Sequence, residues 1–171
     1  MARDYAAIYT SVWGDPDWRT LTPRLQHGYW LLLTQARLSP CGVIDFIPAR
    51  FAGLAAGMGR AEVEEVAREL CAAKPRPWLV HDEDTAELLV RSFVRHDQLM
   101  KLGRPAKSIA KDWQAITSST IRQAVVVELR RLREKAPKLA GWKGLAEESQ
   151  SLMDLIDAAE APTLRVVEDA S

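Results

Sequence analysis

Cysteine and histidine are scarce in this chain. Its 171 residues include two cysteines, Cys41 and Cys71, and three histidines, His27, His81 and His96. The histidines lack zinc-ligand spacing with one another and with the cysteines, so we expect no metal and no cofactor. The cysteines could pair in principle, but in a reducing cytosol we expect both to serve as small buried apolar side chains. The sequence predicts neither a metal centre nor a disulfide framework.

Long apolar runs are also missing. The densest, Tyr29–Leu33, is far shorter than the roughly 18 apolar residues that a membrane helix needs. Residues 1–5 carry charge but no apolar segment of the kind found in secretory signals. We therefore expect a cytoplasmic protein that has no membrane partner.

The sequence shows no catalytic motif. The glycine-containing segment 53–60 lacks the Gly-Lys-Ser/Thr ending of a P-loop and lies between two predicted helices rather than after a strand. No serine lies in a nucleophile-elbow sequence. We expect the protein to have no enzymatic activity.

Net charge is zero, but the charges are unevenly distributed. Residues 1–100 carry 11 Lys and Arg against 13 Asp and Glu, residues 101–144 carry 11 against three, and residues 145–171 carry one against seven. Such asymmetry creates strong local fields in a neutral chain. It indicates a phosphate-binding segment beside an acidic tail that competes for it. The alternative is an ordinary solvated basic helix face.

The first 100 residues predict a winged helix-turn-helix. Two short helices joined by a glycine-containing turn at Gly57–Gly59 are typical of the helix-turn-helix, and a strand precedes this pair while two strands follow it. The expected core is Leu25, Tyr29, Leu33, Phe51, Leu54, Val66, Leu70, Leu89 and Phe93. The expected elements are a helix from Pro23 to Ala36, a strand at 41–46, a helix from 48 to 57, a helix through 63–70, and strands at 77–81 and 87–94.

Residues 101–160 predict a basic linker and a helical region. Gly103 and Pro105 indicate a linker at 101–107, followed by a helix through Ile109 and Trp113. A longer helix begins after Ser118 or Ser119 and is closed by Pro137, and one acidic amphipathic helix with Leu145, Leu152, Leu155 and Ile156 comes last. Residues 161–171 are expected to fray. The predicted fold class is mainly α with a small β-sheet, the winged helix-turn-helix being followed by C-terminal helices.

Several segments resemble a known family. Asp15–Leu21, Gln26 with Tyr29, and Cys41–Val43 resemble the opening of phage replication-initiation (replisome-organiser) winged-helix domains, and Leu89–Asp97 resembles the end of their wing. The whole chain is similar to small helix-turn-helix proteins of actinobacterial phages and prophages. The resemblance implies binding to origin or phage DNA and no catalysis. One departure is Gly59, because such proteins often have a threonine cap at this position. Loss of the threonine side-chain acceptor weakens the helix cap by only a few tenths of a kcal/mol.

The expected DNA-binding residues lie mostly outside the recognition helix. Glu62, Glu64 and Glu65 near the start of that helix, and the acidic wing tip at 82–84, would face a polyanion. We expect Arg91 and Arg95, four residues apart, to share one face of the last strand and to begin a phosphate track; pairing with nearby carboxylates is the alternative for both. The expected DNA-binding residues are Arg50, Arg60, Arg91, Arg95, Lys101, Arg104, Lys107 and Lys111.

Trp113 and Trp142 lie inside the basic block and could stack on bases, although core packing is the expected use of both. The expected function is binding of double-stranded DNA in phage or prophage replication initiation. One alternative is a transcriptional regulator. Another is an adaptor that recruits a replication or host protein through the acidic winged-helix surface. A second copy of the chain, forming a homodimer, is a further candidate partner.

Overall fold

A computed structural model describes residues 6–158, so the expected frayed tail at 161–171 lies outside the described residues. The chain is mainly helical with one three-stranded antiparallel sheet, which confirms the predicted class. None of the described helices has the length and apolar character needed to cross a membrane. The elements are α1 (Pro16–Arg19), α2 (Pro23–Leu33), β1 (Val43–Asp45), α3 (Pro48–Phe51), α4 (Arg60–Ala72), β2 (Leu79–Asp82), β3 (Glu87–Val90), α5 (Phe93–His96), α6 (Gly103–Ala115), α7 (Ser119–Lys135), α8 (Gly141–Glu148) and α9 (Gln150–Asp157), with 3₁₀ turns at Thr10–Gly14 and Gln98–Lys101.

Side-chain caps start the helices where the sequence predicted them. Thr22 accepts a hydrogen bond from the Leu25 N–H before α2, and Pro23 takes the first helical position. Ser118 accepts from the Ile121 N–H at 3.0 Å before α7. Gly59 precedes α4 without a side-chain cap. The caps therefore fix the starts of α2 and α7, and α7 carries part of the candidate site.

The sheet forms a layer between two groups of helices. Its strand order is β1-β3-β2, and Leu89 of the central strand pairs with Val43 on one side and Val80 on the other. Leu88 and Val90 pack into the same buried cluster as α2, α3 and α4, whereas Leu89 packs with α6 and α7. Both faces of the sheet are therefore covered, as the continuous apolar run 88–90 requires.

The last strand is shorter than predicted. The strand was predicted to run from 87 to 94, but β3 ends at Val90. Residues 93–96 form α5 instead. A short apolar run does not distinguish strand from helix by its pattern alone. Here the chain turns so that Phe93 packs on Gly42, whose φ of +86° and whose close approach (a Cβ would lie 2.6 Å from Phe93 Cβ) both require glycine.

The predicted linker at 101–107 is also wrong, because α6 begins at Gly103. Pro105 lies in the first turn of the helix, where its missing N–H has no intrahelical partner to lose. Glycines serve close packing here instead of chain flexibility: a Cβ on Gly103 would lie 3.2 Å from the Ala140 carbonyl oxygen, and a Cβ on Gly144 of α8 would lie 1.8 Å from the Gly103 carbonyl oxygen. Helices α6 and α8 thus pack backbone against backbone.

The last predicted helix is two helices. Ser149 separates α8 from α9 in an extended conformation and accepts a hydrogen bond from the Leu152 N–H. Leu145, Leu152 and Ile156 are buried, whereas Leu155 is exposed. The acidic helices are therefore part of the core, and truncating the chain from Ala146 would remove buried side chains along with the negative charge.

Most of the predicted core is confirmed, with three exceptions. The helix predicted from 48 to 57 is wrong: α3 ends at Phe51, and the chain continues through Gly53 and Gly57, both at positive φ, so the turn before α4 is longer than the one predicted at Gly57–Gly59. Leu54, which lies in this turn, is therefore 55% exposed. Leu33 is only partly buried. Leu89 is buried, but in the other cluster, with α6 and α7. The residues predicted correctly for the first core are Leu25, Tyr29, Phe51, Val66, Leu70 and Phe93.

The two cysteines are free, as expected. Cys41 is fully buried, its Sγ lies 3.3 Å from the carbonyl oxygen of Ile109, and burial raises the pKa of its thiol well above the ordinary value. Cys71 is half-buried, and burial raises its pKa to about 11. Both thiols are therefore protonated and inert at neutral pH.

Candidate nucleic-acid interface

Three arginines converge on one buried carboxylate. Glu128 of α7 is fully buried, and its Oε1 lies 2.5 Å from Arg131 Nη1 and 3.5 Å from Arg91 Nε. Its Oε2 lies 2.5 Å from Arg95 Nε. The placement of Arg91 and Arg95 on a strand is therefore wrong: Arg91 lies in the turn after β3, and Arg95 lies on α5. Both side chains pair with a carboxylate, which was the alternative to a phosphate track, and they are 14% and 15% exposed.

This arginine cluster (Arg91, Arg95 and Arg131) carries more positive charge than Glu128 neutralises. Burial lowers the pKa of Arg91; Glu128 opposes this shift, and Arg131 and Arg95 add to it. Burial also lowers the pKa of His96, and the positive charges of Arg95 and Lys135 lower it further. Because three guanidinium groups face one carboxylate, the electrostatic potential here favours an anion.

The guanidinium groups retain hydrogen-bonding capacity. Arg91 Nε, Arg95 Nε and Glu128 Oε2 are fully buried without an aligned hydrogen bond, although Arg95 and Glu128 are in ion-pair contact. The terminal nitrogens of Arg91 and Arg95 are not among these buried atoms, and they make no hydrogen bond to the part of the chain that the structure describes. These nitrogens remain available to a phosphate, whose oxygens match the guanidinium geometry.

Further cations lie on segments that pack beside α5 and the end of α7. Lys101 and Arg104 flank the start of α6, and they approach the segment between α7 and α8 because Gly103 packs against the Ala140 carbonyl. Lys101, Arg104, Lys135 and Lys138 are exposed and form no ion pair within residues 6–158. We call the whole set the basic end: Arg91, Arg95, Lys101, Arg104, Arg131, Lys135 and Lys138.

Lys107 and Lys111, also predicted to bind DNA, lie farther along α6 and are paired. Lys107 Nζ lies 2.9 Å from Glu147 Oε2, and Lys111 Nζ lies 3.9 Å from Glu148 Oε1. The hydrogen bond from Lys107 lowers the pKa of Glu147. Helix α8 therefore competes with a phosphate for these two lysines, which the basic end does not include.

Arg50 and Arg60 lie outside the basic end as well. Arg50 Nη1 is 3.8 Å from Asp45 Oδ2 beside β1. Arg60 is the first residue of α4, is 73% exposed, and donates from Nε to Glu64 Oε1 at 2.9 Å. Each arginine is free enough to contact DNA singly, but the structure does not join them to the other predicted residues.

A single arginine holds three of the four glutamates of α4. Arg24 of α2 contacts Glu62, Glu65 and Glu69 at 2.5, 3.0 and 2.6 Å. The hydrogen bond from Arg24 lowers the pKa of Glu62. Sequence reasoning missed this contact, although the three- and four-residue spacing places the glutamates on one helical stripe and indicates a common partner. Helix α4 therefore uses its acidic stripe to dock on α2.

The acidic residues of the hairpin anchor it to α7. Asp82 Oδ2 accepts from Ser118 Oγ at 2.5 Å, which lowers the pKa of Asp82. Glu87 accepts from the backbone N–H groups of Thr117 and Ser118 at 2.9 and 2.7 Å, beside the positive end of the helix dipole. Glu83 and Asp84 remain exposed at the turn. This hairpin tip would repel phosphates.

Two tryptophans of the basic block are core residues. The indole N–H groups of Trp113 and Trp142 donate to the carbonyls of Arg122 and Ala136 at 3.1 and 2.9 Å, and both rings are buried. Core packing, the expected use, is confirmed.

Comparison of the chain with family models, with curated proteins and with solved structures finds no match.

Proposed function

We propose that this protein is a winged helix-turn-helix that binds double-stranded DNA through its basic end, in the initiation of phage or prophage replication. The observation that carries the proposal is a set of seven cations on segments that pack on one another: the turn after β3, α5, the 3₁₀ turn at Gln98–Lys101, the start of α6, and α7 with the turn that follows it. Within residues 6–158 the carboxylate that pairs with any of them is Glu128, which is fully buried.

The arrangement of elements supports the winged helix. Helix α2 is followed by β1, the pair α3 and α4, and the hairpin of β2 and β3, and the strand order β1-β3-β2 places the first strand beside the last. In such a domain α4 would be the recognition helix and the β2–β3 turn the wing. Both surfaces are acidic, so phosphate contacts there would be unfavourable.

The division of charge determines which surface would face DNA. The basic end offers four exposed cations that form no ion pair within residues 6–158, together with the guanidinium groups of Arg91 and Arg95, whose side chains are 14% and 15% exposed. Contacts of this kind supply affinity and position without reading the sequence. Arg60, at the exposed start of α4, would contribute base selection once the basic end holds the backbone.

A protein adaptor is the second candidate function. It is favoured by a groove between α4 and the hairpin, which is lined by Glu64, Glu65 and Glu83 together with Arg68 and His81. This acidic surface would suit a basic partner segment.

Replication is preferred to transcription because Asp15–Leu21 and Leu89–Asp97 resemble replication-initiation domains. Footprinting on the parent genome would distinguish binding at an origin from binding at a promoter.

Salt dependence of binding tests the proposal. We expect the affinity of the full chain for a fluorescent duplex of about 20 bp, measured by anisotropy between about 50 and 200 mM salt, to fall with a slope of about −4 to −5 in log K against log salt. That slope corresponds to roughly four to six neutralised phosphates. A slope shallower than about −1 would contradict the proposal and favour the adaptor.

A further inference from the structure

An aromatic cavity opens beside the arginine cluster. Its volume is about 270 Å³, slightly below the range of about 300–1,000 Å³ that is usual for drug-sized ligands, so it suits a single ring system. Ser92 and His96, neighbours in sequence of Arg91 and Arg95, form one side of it. The rings that line it are Tyr9, Trp18, Tyr29, Trp30, Trp78 and Phe93.

The rings are held by one another. Trp18 lies at the centre, its ring centroid 5.5 Å from Tyr29, 5.3 Å from Trp30 and 5.4 Å from Trp78. Tyr29 and Trp78 also meet edge to face at 5.4 Å. Trp30 and Trp78 are only half-buried, so part of each indole remains uncovered. A rigid aromatic wall of this kind accepts a planar ligand at little cost in side-chain entropy.

One buried polar group in the cavity wall has no partner. Trp18 is fully buried, and its indole N–H finds no acceptor among residues 6–158. A buried donor without an acceptor is uncommon in a folded protein and is costly. A planar ligand that carries a ring nitrogen or carbonyl oxygen, and that shifts the Trp18 ring on entering, would supply the acceptor, whereas a hydrocarbon would not.

Positive charge lies close to this wall. The Tyr29 hydroxyl is 3.2 Å from Ser92 Oγ. Burial raises the pKa of Tyr29, and after the Ser92 hydrogen bond the charges of Arg95 and Arg91 oppose that rise. The field of the arginines thus reaches the cavity.

Carboxylates make the cavity itself unsuited to an anion. Asp15 and Asp97 line it, and each caps a helical turn: Asp15 accepts from the Asp17 N–H at 2.9 Å, and Asp97 accepts from the Leu99 N–H at 3.0 Å. A phosphate would therefore lie outside, on the arginine side, while a neutral ring would enter. This division matches a nucleotide within a strand better than a free anion.

We propose that the cavity takes one unpaired nucleobase of single-stranded DNA, with the adjoining phosphates on the terminal nitrogens of Arg91 and Arg95. The proposal rests on the proposed function, since it extends the DNA path from the basic end to a strand that has lost its pairing. Aromatic stacking beside a cationic groove is the general means by which proteins bind single strands.

The test uses the full chain and a single strand of about 12 nucleotides that carries one 2-aminopurine, whose fluorescence falls when the base stacks on a ring. Two variants address the cavity: Trp30→Ala removes part of the wall, and Ser11→Phe fills the mouth from an exposed lining position. We expect each to weaken single-strand binding about tenfold, within the roughly 5- to 150-fold range for the loss of one stacked base, and to leave the affinity for the matching duplex within about twofold.

The outcomes separate the two proposals. If Ser11→Phe, which removes no buried contact, binds the single strand as wild type does, the cavity proposal is wrong whether or not Trp30→Ala folds. If adenosine monophosphate binds as tightly as the oligonucleotide, the cavity holds free nucleotides and the proposal is again wrong. If only the duplex fails to bind while the single strand still depends on the cavity, the proposed function fails and this inference stands.

Discussion

Replacing Glu128 with glutamine is expected to lower the free energy of unfolding by about 3 kcal/mol or more. The substitution keeps the volume of the side chain and removes only its charge. Arg91, Arg95 and Arg131 then lose the one carboxylate that they share, two of them at sites where little solvent can compensate. Removing one partner of a buried ion pair typically costs about 3–5 kcal/mol, because it leaves an uncompensated charge.

Chemical denaturation in urea, followed by tryptophan fluorescence, measures this loss. Glu134→Gln is the matched control, since Glu134 lies on the same helix, is exposed and forms no ion pair in the described part of the chain. We expect the control to change the stability by less than about 0.5 kcal/mol. A cost below about 1 kcal/mol for Glu128→Gln would mean that water or flexible side chains already compensate the arginines, and that the arginine cluster is less tightly held than its geometry indicates.

Replacing the four exposed cations of the basic end with glutamine is expected to weaken duplex binding by about 10³-fold at 0.1 M salt. Each lost phosphate contact removes about one unit from the salt slope, so the slope should flatten by three to four units. The fold should be unaffected, because these side chains are exposed and unpaired within residues 6–158. The variant carries glutamine at Lys101, Arg104, Lys135 and Lys138.

A matched variant with glutamine at Lys107, Lys111 and Lys143 also removes lysines near the basic end, but each of these is paired with a glutamate of α8. It should leave the affinity within a few-fold of wild type. Arg60→Ala should reduce discrimination between DNA sequences more than overall affinity. Equal losses per removed charge in the two glutamine variants would show that the protein responds to net charge and has no localised DNA surface.

Local signals in the sequence predicted the helix starts and the strand pattern. Thr22 and Ser118 are hydroxyl caps, and the apolar stripe of α7 recurs at three- and four-residue spacing. These features depend on neighbours within one turn, so the sequence carries them directly. The prediction of a linker at 101–107 was wrong because it also relied on local signals. Glycine and proline are locally consistent with a loop, and only the packing of α8 on Gly103 explains the helix.

The partners of the site residues were harder to predict from the sequence. Whether Arg91 and Arg95 face solvent or a carboxylate depends on Glu128, which is more than thirty residues away in sequence. One signal did exist: Glu128 lies between Val125 and Leu129 on the apolar stripe of α7, and an acid on a buried stripe requires a cation. Which arginine supplies that cation follows from tertiary packing, and no local rule determines it.

Lysine reactivity tests the location of the DNA surface most directly. The unmodified full chain is acetylated in limiting reagent with and without saturating duplex, and each lysine is quantified by mass spectrometry. We expect DNA to protect Lys101, Lys135 and Lys138 at the basic end, and to leave Lys111, at the far end of α6, as reactive as before. Protection of Lys111 with no change at these three lysines would contradict the central claim that the basic end holds the DNA.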